Sequence, residues 1–593
     1  MRRFLRLLPL LRPYRVRVAV GFASVALTVV AQSYVPQAFR HAINALPGAP
    51  DVERAAWWAA AAVALTAVRG VFQFVMRRNL VGASREMERA LRDRLYESLL
   101  RRSAAWLGSH HTGDVMSRLT ADVEAVRMSA GPGLMYVANT VVLAPLAFWF
   151  MWSMSPLLSL LNLIPLAGIA IATRVLAPRL HRASVDVQET QGALSTRAQE
   201  SFAGVRVVKS FAREEREVET FAAQAERSLD ANVRLADTRS LFHPVIALMK
   251  GVALGLTLLV GGRLMARGEM GLGEFLAFHL YSQMLLWPMI SLGWVISLWQ
   301  RGRAAMDRLA SLLDEPPAIV DAPDALPLGD LRGARHPARG ALEVRGLTFT
   351  YPGAPSPTLR DVAFAVPAGG TLAVVGPTGA GKSTLLALLP RLLDLPPDTV
   401  RMDGTPLERI RLADLRRAMG YVPQDTFLFS DTIRENVAFG IDDSVERGAA
   451  LDDRLRAVAD RARILDEIER LPRGLDSLLG ERGVNLSGGQ RQRTAIARAL
   501  AVDPPILLLD DCLSAVDAHT ETEILANLRE VLRGRTTVIV THRVSAARLA
   551  DRILVLEDGR VADTGTHDEL IARGGLYARL ARRQSLEEQL EAA

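Results

Sequence analysis

The chain is poor in two residue types that usually carry surface chemistry. A single cysteine, Cys512, stands among 593 residues, which excludes an intrachain disulfide and fits a reducing cytosol for the half that holds it. Three lysines, Lys209, Lys250 and Lys382, stand among 71 basic residues, and every other strong cation is arginine. Internal repeats and low-complexity tracts are lacking, so neither a solenoid nor a tail-like protein is indicated. Long apolar runs are lacking from about residue 300 onward, whereas the first 300 residues hold several. The two halves therefore belong to different classes, a membrane part and ordinary globular α/β sequence, and the length is too great for one core. The net charge of +7 sits largely in arginines that flank the apolar stretches, which speaks for membrane orientation and against nucleic-acid binding.

Lysine is kept inside Gly376-Pro377-Thr378-Gly379-Ala380-Gly381-Lys382-Ser383-Thr384, between the apolar run Thr371–Val375 and the helix-like Leu385–Leu389. This is a phosphate-binding P-loop in its strand, loop, helix context. Glycines at these spacings let backbone N–H groups cradle phosphate oxygens, the helix aims its positive end at them, and Ser383 can reach Mg²⁺. A compact ammonium can sit among phosphates where a planar guanidinium is the wrong shape, which explains lysine at 382.

Six stretches reach spanning length: about Val16–Phe39, Ala55–Val75, Leu134–Trp152, Leu157–Leu176, Pro244–Met265 and Phe275–Trp299. Arg2 to Arg17, interleaved with Leu and Pro, suits an amphipathic segment on the inner membrane surface. Arginine counts place the N-terminus, the long loops Met76–Gly133 and Ala177–His243, and everything after Arg301 on the cytoplasmic side. The even span count puts the P-loop there as well. Halved, each long loop gives two helical arms of roughly 40 to 50 Å. Their expected tips are Thr112–Leu119 and Ser201–Lys209, where Gly113 and Gly204 would permit tight turns. The expected boundaries are 1–313 for a six-helix domain, 314–340 for a Pro-rich linker, 341–582 for an α/β domain, and 583–593 for a tail.

Downstream of the P-loop, Ile506-Leu507-Leu508-Leu509-Asp510 reads as a buried strand ending in a carboxylate, the Walker B pattern, with Asp510 expected to hold Mg²⁺. Between the two lies Leu486-Ser487-Gly488-Gly489-Gln490. With this sequence in place the chain resembles ATP-binding cassette (ABC) transporters, specifically an exporter-type half-transporter. The resemblance covers nearly the whole length. It implies a multidomain fold: an all-α six-helix transmembrane domain, then an α/β P-loop NTPase domain with an α-helical signature subdomain.

It also implies roles for residues. Tyr351 would stack on adenine, and Gln424 would contact Mg²⁺ and the attacking water. Ser487, Gly488, Gly489 and Gln490 would serve the γ-phosphate bound by a second subunit. His542 would be the switch histidine, Asp517 the D-loop residue, and Glu481 would couple the cassette to the second membrane loop. The implied ligands are ATP and Mg²⁺. The implied partners are a second half-transporter, membrane lipid, and a small hydrophobic or lipid substrate, with no nucleic acid.

One position departs from the family pattern. Directly after Asp510, where the family usually has glutamate as general base, stands Asp511. One methylene less withdraws the carboxylate by roughly 1.5 Å, more than a contact of about 2.6 to 3.2 Å tolerates. The resemblance then favours a heterodimer in which this chain's own site turns over slowly while its intact signature completes the partner's. A homodimer using Asp511 as a weaker base stays open, as does an importer on the exporter fold. Within the spans, Lys250 is expected to snorkel. Arg69 and His279 either line a substrate cavity or pair internally.

Overall fold

In the computed structural model the described residues are 12–46, 51–328, 340–441, 448–480, 483–512, 529–530 and 532–592. The segment before Arg12, residues 329–339 of the Pro-rich linker, Glu481 and Asp517 lie outside the described residues. The chain divides into two compact units: Met1–Arg101 with His110–Pro316, and Arg102–Ser109 with Pro317–Ala593.

The first unit is built on six long helical spans, α1 (Arg12–Asn44), α2 (Val52–Leu100), α3 (Thr112–Met154), α4 (Pro156–Ala203), α5 (Glu214–Ala266) and α6 (Leu272–Asp314). Each is apolar over at least one stretch of membrane-crossing length, and each runs beyond it. The 49 residues of α2 extend about 74 Å at 1.5 Å per residue, against a hydrocarbon core of about 30 Å. The Arg/Glu-rich arms expected outside the membrane are thus continuations of the spans. Close approach joins α1 to α2, since a Cβ at Gly21 would meet the Leu80 side chain at 2.5 Å. Tyr281 of α6 is fully buried. Its hydroxyl donates to the Ser33 carbonyl of α1, and its ring stacks on Phe150 of α3 with centroids 5.4 Å apart. Pro132 falls in a π-helical turn of α3 (129–133), a device that absorbs the missing donor.

The loop tips differ from expectation in two ways. Thr112–Leu119 is no tip: it opens α3, and the turn falls earlier, at the six-residue helix Ala104–Ser109. That helix belongs to the second unit, where Ala105 packs against the apolar core. In the other loop a short helix does form, Val205–Ser210, yet Gly204 has an ordinary φ of −91°. The left-handed residue of that loop is Ala212, with φ 48°.

The second unit has two sheets and a helical lobe. One sheet is antiparallel with order β2-β1-β4-β5, from β1 (Leu342–Phe349), β2 (Leu359–Val366), β4 (Val400–Met402) and β5 (Thr405–Pro406). The other has order β10-β9-β3-β8-β7-β6, from β3 (Thr371–Val375), β6 (Met419–Val422), β7 (Ile506–Asp510), β8 (Thr536–Val540), β9 (Arg552–Glu557) and β10 (Arg560–Gly565). Its strands are parallel except β10 at the edge. Every residue of β3, β7 and β8 is buried, as unbroken Val/Ile/Leu runs require when both faces of a parallel sheet are covered. The helical lobe packs Leu455, Val458, Ile468, Leu486 and Ile496 around one core. The fold is therefore the expected one, six membrane-length helices followed by an α/β P-loop domain with a helical subdomain.

Candidate nucleotide site

The parallel register aligns the carboxyl ends of the central strands. Val374 lies opposite Val540 of β8, and Val540 lies opposite Asp510 of β7. The P-loop after β3, the carboxylates at the end of β7 and His542 after β8 therefore share one edge, where open α/β sheets place their ligands.

The loop geometry follows from its glycines. A Cβ on Gly376 would lie 2.1 Å from the Leu556 carbonyl oxygen, so no side chain fits. Gly379 and Gly381 have φ of 85° and 94°, the left-handed region where glycine is at no disadvantage. The helix α7 (Lys382–Leu388) starts directly after Gly381. Lys382 is buried, and its Nζ donates to the Gly376 and Pro377 carbonyls at 2.9 Å each. Burial pushes its pKa down, against the pull of Asp511 and Asp510. The Ser383 hydroxyl donates to Asp510 Oδ1 at 3.1 Å. Burial pushes the Asp510 carboxyl up and the Ser383 bond offsets part of this. A hydroxyl and a carboxylate oxygen at this spacing form a hard-oxygen donor pair of the kind Mg²⁺ takes.

Asp511 is buried, its backbone N–H donates to the Val540 carbonyl at 2.9 Å, and its φ is 45°. A left-handed residue at this point has no sequence signal, and aspartate tolerates the conformation better than most side chains. Cys512, next along, is fully buried and its thiol is pushed up to about 12, chiefly by burial. Gln424 and His542 are exposed at the ends of β6 and β8. Tyr351 is exposed, lies edge-on to Phe349 with centroids 5.1 Å apart, and pairs its hydroxyl with Thr384 Oγ1 at 3.1 Å.

The signature residues stand elsewhere, at the start of α8 (Gly488–Ala501) in the helical lobe. Ser487 caps that helix: its Oγ accepts from the Gln490 N–H at 3.2 Å, while Gln490 Oε1 accepts from the Ser487 N–H at 2.8 Å. The Gln490 amide donates to Glu467 at 2.6 Å, and Glu467 also pairs with Arg493 at 2.7 Å. Among the described residues no hydrogen bond joins 487–490 to the P-loop. Arg498 of α8 carries no local sequence signal, yet it sits at a junction. Its guanidinium donates to the Phe427 carbonyl at 2.9 Å, the Asn436 carbonyl at 2.8 Å and Asn436 Oδ1 at 2.7 Å.

In the membrane unit, Arg69 lines a cavity of about 390 Å³, whereas His279 is absent from its described lining and Lys250 is exposed.

The family model described as ABC transporter transmembrane region matches residues 18–289, and the one described as ABC transporter matches 359–514. The chain belongs to the ABC transporter family. This transporter is 37% identical over 537 residues to the multidrug resistance-like ATP-binding protein MdlA of Escherichia coli, covering 90% of this chain and 88% of that protein. It is 35% identical to the probable multidrug resistance ABC transporter ATP-binding/permease protein YheI of Bacillus subtilis, over 97% and 96% of the two chains. It is 32% identical to the ATP-dependent lipid A-core flippase of Salmonella typhimurium, over 98% and 97%. A solved bacterial Atm1-family ABC exporter with ATP bound superposes with TM-score 0.79 at 30% identity, over 96% of this chain and 98% of that one. This transporter is accordingly a multi-pass membrane protein and an ABC-type ATPase coupled to transport.

Proposed function

We propose that this chain is one subunit of a dimeric exporter that moves a hydrophobic or amphipathic molecule, a drug or a lipid, out across the bacterial cytoplasmic membrane. The observation that carries the reading is the Ser383–Asp510 pair at 3.1 Å beside a buried Lys382, in a chain that also holds six membrane-length helices. In this reading the backbone of 376–384 and Lys382 hold the ATP phosphates, and Tyr351 stacks on the adenine. Ser383, Asp510 and Gln424 hold Mg²⁺, which when bound neutralises charge on the β- and γ-phosphate oxygens. Gln424 and His542 position the attacking water and the γ-phosphate. Ser487, Gly488, Gly489 and Gln490 complete the site of the other subunit. Closure of paired cassettes shifts the membrane helices because ATP binds the closed state better than the open one.

Asp511 takes the general-base position with a shorter side chain, and a positional error near 1 Å costs on the order of a hundredfold in rate. We therefore read the dimer as a heterodimer in which this chain's own site is slow and its signature serves the faster site. A homodimer is the second reading, supported by the intact P-loop, Asp510, signature and His542 in one chain. ATPase turnover of the purified chain, alone and with candidate half-transporters, tests both. Near-inactivity alone, with activity restored by a partner whose own glutamate is essential, supports the heterodimer. Ordinary turnover by the lone chain, abolished in Asp511→Ala, overturns it.

A further inference from the structure

We propose that the cavity inside the membrane unit is a binding site for amphipathic anions, which makes the substrate class a molecule with a negatively charged head on an apolar body. The proposal rests on the export reading and names the substrate of that pathway.

The cavity, of about 390 Å³, is shared by four spans. Arg69 and Arg77 reach it from α2, Gln32 from α1, Asn139 from α3 and Gln283 from α6. Trp287 and Met284 add an apolar wall, and no aspartate or glutamate is among the described residues that line it. Arg69 and Arg77 are about two helical turns apart, so one elongated ligand can meet both.

Neither arginine makes an ion pair or side-chain hydrogen bond with another described residue, in contrast to several arginines of the same helix. Further along α2, Arg85 and Arg92 pair with Glu88, Arg89 with Asp93 and Arg101 with Glu97. Arg69 lies within the apolar stretch 55–75, where a cation is costly unless paired or facing water, and Arg77 stands exposed just beyond its end. Two guanidinium groups with nearby amides and no carboxylate leave the compensating charge to be supplied by whatever enters. Phosphate, sulfate and carboxylate fit the guanidinium fork with two parallel hydrogen bonds. A cationic amphiphile would meet two like charges and nothing to offset them.

The test uses the full-length chain in nanodiscs of zwitterionic lipid, in the dimer it forms alone or with its partner subunit. Equilibrium binding is measured for dodecyl phosphate, dodecyl maltoside and dodecyltrimethylammonium, which share a tail and differ in head charge. Dodecyl phosphate is expected to bind at least about ten-fold more tightly than the other two. Raising salt from about 50 to about 500 mM is expected to weaken it alone. The double variant Arg69→Gln/Arg77→Gln should lose that preference, while Arg69→Lys/Arg77→Lys should keep most of it. Inorganic phosphate should not compete at millimolar concentration. Full competition would make this a small-anion site and overturn the amphipathic class. Equal binding of the three amphiphiles overturns the proposal, as does a preference that survives both neutral substitutions. If the neutral variant does not fold, the head-group ranking and salt dependence of the unaltered chain still decide. ATP-driven uptake into inverted vesicles is scored separately: its absence for every amphiphile sinks the export reading and leaves the binding preference standing.

Discussion

The guanidinium of Arg498 donates to the carbonyl of Phe427 at 2.9 Å, tying the signature helix to the segment that follows Gln424. The same side chain holds both oxygens of Asn436 and has the rings of Phe429 and Phe439 at 5.8 Å from its central carbon. It thus braces the helix that presents the signature against the strand end that presents the glutamine.

Removing that brace leaves the carbonyl of buried Asn436 without this donor, at about 1 to 3 kcal/mol. Arg498→Met should lower the melting temperature of the purified transporter and reduce ATPase turnover. Arg498→Lys, which keeps the charge but loses the planar fork, should recover only part of both. A melting curve unchanged in Arg498→Met would show that the brace contributes nothing to stability.

The left-handed backbone at Asp511 bears on any exchange there. Asp511→Glu restores the reach of the carboxylate and should raise turnover at this chain's own site by about ten- to a hundredfold. The longer side chain is less suited to φ 45°, so a stability loss of about 1 kcal/mol should accompany the gain. Single-turnover hydrolysis and chemical denaturation of the same preparation check the two halves of this expectation. A rate increase below about twofold would be inconsistent with reach as the limiting factor.

Asp510 sets a pH dependence whose sign can be worked out. Burial raises its pKa above the ordinary 3.8, so the fold favours the protonated form when no nucleotide is bound. The cost of its charge is absent below that value and grows as pH rises through it toward the raised folded value. Asp510→Asn should therefore melt higher than the unaltered chain in nucleotide-free samples at neutral pH, with the difference shrinking toward pH 4, while ATP hydrolysis is lost. Melting temperatures of the two proteins across pH 4 to 8, without nucleotide, test this.

Cys512 should be inert in the folded protein, because burial excludes reagents and holds the thiol protonated. Maleimide labelling should be negligible in native protein and complete after denaturation. Cys512→Ala should leave ATPase turnover within about twofold, whereas Cys512→Asp should destabilise by several kcal/mol through an unpaired buried charge.

Whatever depends on short-range chemistry is legible in the residues themselves. Six apolar stretches of bilayer length need no partner to be recognised, since the bilayer fixes their length. The P-loop is legible because its glycines and lysine answer to phosphate geometry within nine residues. Asp510 is legible because a buried apolar strand ends there. Tertiary structure decided what depends on residues meeting across distance. The helix Ala104–Ser109 joins the second unit through packing of Ala105, which no local pattern at 112–119 could announce. Arg498 reads as one arginine among many until the fold brings Phe427 and Asn436 to it. Asp511 takes its left-handed φ where β7 ends, with its N–H held by Val540 of the neighbouring strand. Arg69 and Arg77 stand apart from the paired arginines of α2 only once four helices line one cavity with them and without a carboxylate, because the charge balance of a cavity is a property of the walls together.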